Sequence, residues 1–381
     1  MSLIFTNPSS QPGTHAFVVG VSAYKYLPAE GEPTSSGFGI GQLNAAARSA
    51  SEFAAWLLNE YHNPDAPLRS LRVLLSPTQP NEQIHPDITA RLVGNPAATL
   101  ENFKVDFEEF QEDLGVNKAD IAIVYVAGHG VQLTSEGAIL LLNDFGRRPD
   151  SGLDCSVDIY NLRQVLRFDK SANTQFWFVD TCRQLPEIAE CYEKMEGEYK
   201  KSIPRSTIRK NSSLFLSCST GMQAYANKTG LTFFCDALLH GLRSAQAADS
   251  NGDQGSLWRV SSPSLSGYLD KAVPELAREK GRDQYVECQG CTSPAVLHTY
   301  KETPYVELHI DIAPTTDRQN HTHFSLRQSG KHWIKDHSQW PLSTKIPAGL
   351  YSASWNCLHS TYAYAQEYNF KPPIRHVELK K

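Results

Sequence analysis

The sequence contains no apolar run approaching the ~20 residues that a membrane helix needs, so we expect no membrane anchor. It has no excess of basic charge: 36 Lys+Arg stand against 41 Asp+Glu, for a formal net charge of -5. Nor does any stripe interleave basic with aromatic side chains, so a nucleic-acid partner is not expected. The opening MSLIFTNPSSQPGTH lacks a basic region ahead of an apolar core, and no secretory leader is expected. The eight cysteines (155, 182, 191, 218, 235, 288, 291 and 357) show no framework spacing, and several lie within apolar strands or helices. That pattern suits reduced thiols in a cytoplasm rather than a disulfide scaffold. Cys288 and Cys291 form a lone CxxC without the second pair that a structural zinc site requires, so no metal is assigned there. Internal repeats and low-complexity segments are also absent.

What is present is an ordinary globular composition, 40% hydrophobic and 20% charged, in a chain of 381 residues. That length accommodates one large α/β domain and a smaller appended module. Short apolar runs alternate with amphipathic segments over about the first 300 residues. FVVGVS (17–22), LRVLLS (71–76), IAIVYVA (121–127), FWFVD (176–180) and LFLSC (214–218) read as buried strands, with a further short strand expected at 139–143. Between them, Leu43, Ala46, Ala50, Phe53 and Leu57 mark one helical stripe, and Phe103, Phe107, Phe110 and Leu114 another. Ile159, Leu162, Val165 and Leu166 indicate a third helix, and 233–242 a fourth. This βαβ series predicts an α/β fold, a largely parallel sheet with helices on both faces. From about Thr303 the pattern changes: Val306, Leu308, Ile310 and Ile312 alternate with polar residues, and β-like runs follow. We therefore expect a first domain over 1–302 and a small β-sandwich-like domain over 303–381. Its six histidines between 309 and 359 lack ligand spacing and are expected to be solvated.

Ligands of open parallel sheets bind at the carboxyl ends of the strands. Two such ends carry reactive residues. IAIVYVA runs into Gly128-His129-Gly130, and FWFV into Asp180-Thr181-Cys182-Arg183. On neighbouring strands the imidazole and the thiol would share one crevice. That pair suits thiol acyl transfer, since an imidazole can take the proton of a thiol with an ordinary pKa of about 8.5. Gly130 and Cys182 could supply backbone N–H groups to the developing oxyanion. Taken singly, a histidine between glycines is often a turn residue and a cysteine after a strand a small buried hydrophobe; the combination is what carries the reading.

YVAGHG followed by FWFVDTCR resembles the His and Cys signatures of the caspase–metacaspase peptidases. The resemblance covers roughly residues 15 to 300, with LNAAARSASEFAAWL similar to the family's first helix and SLFLSCSTGMQAYAN to its substrate-lining strand. TFFCDALLHGL and DQYVECQG resemble later parts of that domain. It implies a caspase-like fold and a Cys182–His129 dyad acting on a protein or peptide substrate without a cofactor. It also implies backbone hydrogen bonds from Cys218 and Ser219 to an extended peptide, and a setting such as bacterial regulated proteolysis or defence.

The sequence also departs from the family. Where metacaspase-like members tend to read DxCHSG, this chain reads DTCRQL. Asp180 matches a position that helps form an acidic pocket for Arg or Lys, but Ser49 stands where a second acid usually joins it. Asp180 is thus a candidate pocket wall or, alternatively, a strand-end capping residue. The segment 183–213 carries Lys200, Lys201, Arg205, Arg209 and Lys210. It is either an activation linker cut at these residues or a solvated charged loop. Asp249, Asn251 and Asp253 begin an EF-hand-like loop, but Gln254 replaces the turn glycine and Val260 the bidentate glutamate, so a polar turn is favoured over calcium. GFGIGQ (37–42) lacks the spacing of a phosphate loop and is discounted. The C-terminal domain is expected to recognise a regulatory partner or to position substrate. The alternative to a peptidase is a caspase-like scaffold that binds a protein partner and cleaves nothing.

Overall fold

A computed structural model describes residues 2–29, 32–33, 39–78, 82–94, 96–132, 137–148, 152–169, 172–183, 197–204, 210–227, 230–250, 257–313, 315, 321–357 and 363–379. The chain forms two compact units. One is Met1–Leu239 with Ser266–Leu297, and the other is His240–Leu265 with His298–Lys381.

The first unit is organised by a seven-stranded sheet. Its strands are β1 (Leu3–Thr6), β2 (Thr14–Val21), β3 (Leu68–Ser76), β4 (Ile121–Gly128), β5 (Thr174–Thr181), β6 (Asn211–Leu216) and β7 (Glu287–Gln289). They lie in the order β1-β3-β2-β4-β5-β6-β7. The five central strands are parallel, and β1 and β7 close the two edges antiparallel. The central strands are apolar at nearly every position because helices cover both faces. On one face, Phe103, Phe107 and Phe110 of α2 (Leu100–Leu114) surround Phe17 of β2, with ring centroids 5.2, 6.1 and 5.8 Å away. Leu162 and Leu166 of α3 (Ile159–Phe168) extend that layer. On the other face, Phe53 of α1 (Ala46–Asn59) stacks on Tyr125 of β4 at 4.8 Å. Burying a side chain of this size contributes about 2–3 kcal/mol.

α1 lies flush on β2 because Gly20 has no side chain; a Cβ there would stand 2.7 Å from the Ala47 Cα. The apolar stripe read from Leu43 begins before the helix proper, which starts at Ala46 and has no side-chain cap of its own. Its first N–H groups are satisfied from elsewhere. Ala47 N–H donates to the Ser22 hydroxyl (3.0 Å) and Arg48 N–H to the buried Glu82 carboxylate (2.9 Å). A carboxylate at this end also complements the helix dipole.

In the second unit, β8 (Tyr305–Ile312), β9 (His321–Gln328), β10 (Lys331–His337), β11 (Leu342–Pro347), β12 (Gly349–Cys357), β13 (Ala363–Phe370) and β14 (Ile374–Leu379) make two small sheets, β11-β8-β14 and β10-β9-β12-β13. Val306, Leu308, Ile310 and Ile312 are buried while Tyr305 and Glu307 are exposed, the alternation expected of a one-sided strand. α4 (Phe233–Arg243) and α5 (Ser262–Glu279) complete the longer helices. Among the described residues no helix is long and apolar enough to cross a membrane.

Candidate active site

The strand order reverses at β2: the chain moves from β2 to β3 on one side and reaches β4 on the other. Such a switch point opens a crevice at the carboxyl ends of the strands. At the same carboxyl end, one strand further along, β4 and β5 pair in parallel with Gly128 opposite Thr181, so the next residues of the two strands are His129 and Cys182. Both line a cavity of about 100 Å³, together with Asp180, Ala224, Tyr225 and Thr232.

The His129 Nε2 lies 2.7 Å from the Gly41 carbonyl. A carbonyl oxygen can only accept, so Nε2 carries the proton and Nδ1 is left as a proton acceptor. The His129 backbone N–H donates to the Tyr24 hydroxyl (2.7 Å), and the Tyr24 ring lies 5.0 Å from the imidazole. Burial pushes the His129 pKa below 6.5 against the opposing bond to Gly41, which keeps the ring neutral at neutral pH. The Cys182 thiol donates to the Ala224 carbonyl (3.7 Å) and accepts from the Ala224 N–H (3.4 Å). Burial, with the Asp180 charge behind it, pushes this thiol above its ordinary value. At neutral pH the two side chains are therefore a neutral thiol and a neutral imidazole.

Gly130 follows the histidine in a short strand, Gly130–Val131, paired with Ile139–Leu141. A Cβ at Gly130 would meet the Cys182 carbonyl oxygen at 2.5 Å, so only glycine lets this backbone close on the end of β5. Tyr24, Gly41 and Thr232 are site residues that no sequence motif announced. For Gly41 none could have done so, because its contribution is a backbone carbonyl.

Asp180 is buried beneath the cavity. Its Oδ2 accepts from the Tyr125 hydroxyl (2.9 Å) and from the Thr232 hydroxyl. Among the described residues its buried Oδ1 has no hydrogen-bond partner at normal distance; the nearby Ser217 hydroxyl donates to the Thr181 carbonyl (3.1 Å) and acts on the carboxylate only weakly. Burial pushes the Asp180 pKa up to about 6 in spite of these donors. Ser49 is fully buried, and its hydroxyl accepts from the Thr232 N–H (3.0 Å). Where a second acid was sought, the serine thus braces the residue that holds Asp180.

Arg183, the departure beside Cys182, is buried. Its guanidinium donates to the Cys218 carbonyl (3.2 Å) and pairs with Glu287 on β7. Its backbone pairs with Met222 and Gly221, which brings the following Ala224 against Cys182. Cys218 and Ser219 do not line the cavity. The Cys218 thiol donates to the Thr181 and Met222 carbonyls, and the Ser219 hydroxyl to the Tyr285 carbonyl. Ala224–Ala226 border the cavity in their place, with Ala226 bridged antiparallel to Thr232.

Of the five basic residues marked for self-cleavage, Arg205 and Arg209 lie outside the described residues. Lys200 is exposed. Lys201 is tied by its backbone N–H to Asn161 (2.8 Å) and by its ammonium to Gln111 (2.5 Å). Lys210 is buried, with its ammonium on the Leu166 carbonyl and Asp169, both at 2.9 Å. Asp249 pairs with Lys371 at 2.8 Å, and Asn251 and Asp253 lie outside the described residues. Cys288 and Cys291 are free thiols. Among the described residues no three His, Cys, Asp or Glu side chains gather as metal ligands.

The family model described as a caspase domain (peptidase C14) matches residues 54–290, more than half of the chain and a span containing both His129 and Cys182. Among solved structures, caspase-1 from Spodoptera frugiperda is similar to this chain with a TM-score of 0.43 and 12% identity, over 78% of this chain and 94% of that one. No curated protein matches the chain. The chain belongs to the caspase-domain family of cysteine peptidases.

Proposed function

We propose that this protein is a cysteine endopeptidase in which Cys182 is the nucleophile and His129 the general base. The observation that carries the reading is the pairing of β4 with β5, which puts the two residues at equivalent strand ends around one cavity. As Cys182 Sγ attacks the scissile carbonyl, its proton passes to Nδ1 of His129. Backbone N–H groups of Gly130 and Cys182 stabilise the oxyanion, and losing one such donor costs about 3–4 kcal/mol of transition-state stabilisation. His129 then protonates the leaving amine, and water, deprotonated by the same imidazole, releases the acyl product. The buried, unbonded Oδ1 of Asp180 favours Arg or Lys at P1, because a cationic donor there replaces missing solvation. The same preference directs self-processing to the basic segment carrying Lys200, Lys201, Arg205, Arg209 and Lys210, of which Lys200 is exposed and Lys210 buried. The peptide runs along Ala224–Ala226, with Cys218 and Ser219 bracing that segment from beneath. No metal or other cofactor takes part. The second unit recognises a regulatory protein partner, and the enzyme works in the cytoplasm.

A fluorogenic peptide panel varying P1, run on the wild type and on Cys182→Ala with and without calcium, tests the proposal. Cleavage after Arg or Lys that vanishes in the variant is expected. Cleavage after other residues alone would remove the role given to Asp180. Failure both to cleave and to be labelled at Cys182 by a peptide electrophile would leave a partner-binding scaffold instead.

A further inference from the structure

We propose that Gln42 and Tyr24 are positioning residues for His129, which hold the imidazole in its Nε2–H tautomer by fastening the Gly41 carbonyl and the His129 backbone. The inference rests on the peptidase reading for its kinetic consequence, but its structural content can be tested without turnover.

Among the described residues the Gly41 carbonyl is the one hydrogen-bond partner of the His129 Nε2, and a glycine carbonyl is easily turned aside. The next residue prevents this. Gln42 Oε1 accepts from the Tyr24 N–H (2.7 Å), while its Nε2 faces the carbonyls of Tyr24 (2.9 Å), Leu27 (3.1 Å) and Pro28 (3.1 Å). One amide side chain thus joins the segment around Gly41 to the turn that follows β2. On its other side, the Leu43 N–H donates to the Ser22 carbonyl (2.9 Å) and the Leu43 carbonyl accepts from Thr78 (2.6 Å). Gly41 is thus anchored through the two residues that directly follow it.

The turn fastened by Gln42 also carries Tyr24. That phenol is buried, and its hydroxyl accepts from the His129 N–H (2.7 Å) while donating to the Val21 carbonyl (3.3 Å). Burial keeps the phenol protonated well beyond the physiological range, so this donor is permanent. Both contacts to His129 therefore issue from one stapled loop, one at the backbone and one at the ring. The chemical consequence lies at Nδ1. If the proton moved from Nε2 to Nδ1, the ring could no longer accept the proton of Cys182 without first rearranging.

The test uses the full chain with 15N-labelled histidine, the His129 signals being assigned by their loss in His129→Gln. At neutral pH the wild type should show His129 as the Nε2–H tautomer alone, and Gln42→Ala should show a mixture. On a cleaved peptide, kcat should fall about 10–100-fold while KM stays within about twofold, as expected for a misplaced base. Gln42→Glu, which keeps the acceptor for the Tyr24 N–H but loses the donors, reads the same two quantities if the alanine variant does not fold. Tyr24→Phe should likewise lower kcat rather than raise KM. A wild-type Nδ1–H tautomer, or an unchanged tautomer and kcat in the folded Gln42 variant, would overturn the proposal. If the wild type cleaves nothing, the tautomer comparison alone decides it, so failure of the peptidase reading is told apart from failure of this one.

Discussion

Asp180→Asn should make the protein more stable and less selective. The carboxyl pKa rises from 3.8 to about 6 through burial, with one oxygen left unbonded. A shift of about 2 units corresponds to about 3 kcal/mol against the ionised form. The sign follows from proton binding. Between about pH 4 and 6 the folded protein holds a proton that the unfolded chain has lost, so stability falls as pH rises through that window and stays low above it. Asparagine has the same shape and no charge, which removes the pH-dependent loss. Its amide nitrogen, placed at the Oδ1 position without an acceptor, returns about 1–2 kcal/mol of destabilisation. The variant should therefore gain about 1–2 kcal/mol at pH 8 and nothing, or a small loss, at pH 4.5. Urea titrations of wild type and variant at the two pH values measure the difference. In parallel, the ratio of kcat/KM for P1 Arg over P1 norleucine should fall about 10–100-fold, the value of a charge-assisted bond in a buried site. A stability difference independent of pH, together with an unchanged P1 ratio, would refute the assignment of Asp180 as a strained, unpaired pocket acid.

Other outcomes follow from the same geometry. Because the His129 pKa lies below 6.5, kcat/KM for a peptide with neutral P1 should hold from neutrality down past pH 6.5 before falling; a limb centred above 6.5 would contradict the buried neutral ring. With basic P1, the wild type should show an additional decline near pH 6 that Asp180→Asn lacks. Gly130→Ala should reduce kcat/KM by about 100-fold or more, since the new Cβ meets the Cys182 carbonyl backbone and the nucleophile must shift; wild-type kinetics would exclude that close approach. Glu287→Gln should destabilise the fold by about 1–3 kcal/mol, less than a fully buried pair because Glu287 is 31% exposed while Arg183 is not; chemical denaturation reads it directly.

How much of this was legible depends on where the information resides. His129 and Cys182 could be found because each is a reactive side chain next to an uninterrupted apolar run, and parallel pairing brings such strand ends together. The alternating β8 and the aromatic face of α2 were similarly plain, since period is a property of the sequence itself. The edges were less visible: β1 has four residues and β7 three, too short for a periodicity to establish itself. The start of α1 was placed too early, because its capping groups come from Ser22 and Glu82, more than twenty residues distant in either direction. Thr232 lies 52 residues from Asp180, and no local pattern ties a threonine to a distant carboxylate.

The departure from the family at Arg183 has a further reading once its partners are known. A buried cation beside Cys182 would ordinarily favour the thiolate. Here that charge is engaged by Glu287 and by the Cys218 carbonyl, while burial and Asp180 act on Cys182 in the opposite direction. Arg183 therefore serves the backbone: it fixes the segment from which Ala224 reaches the thiol. The division of labour matches the topology. The strands place His129 and Cys182, whereas the loop after β2 supplies the contacts of the imidazole and the segment after β6 those of the sulfur. A change in either loop should alter the rate of proton transfer without moving the strands that carry Cys182 and His129.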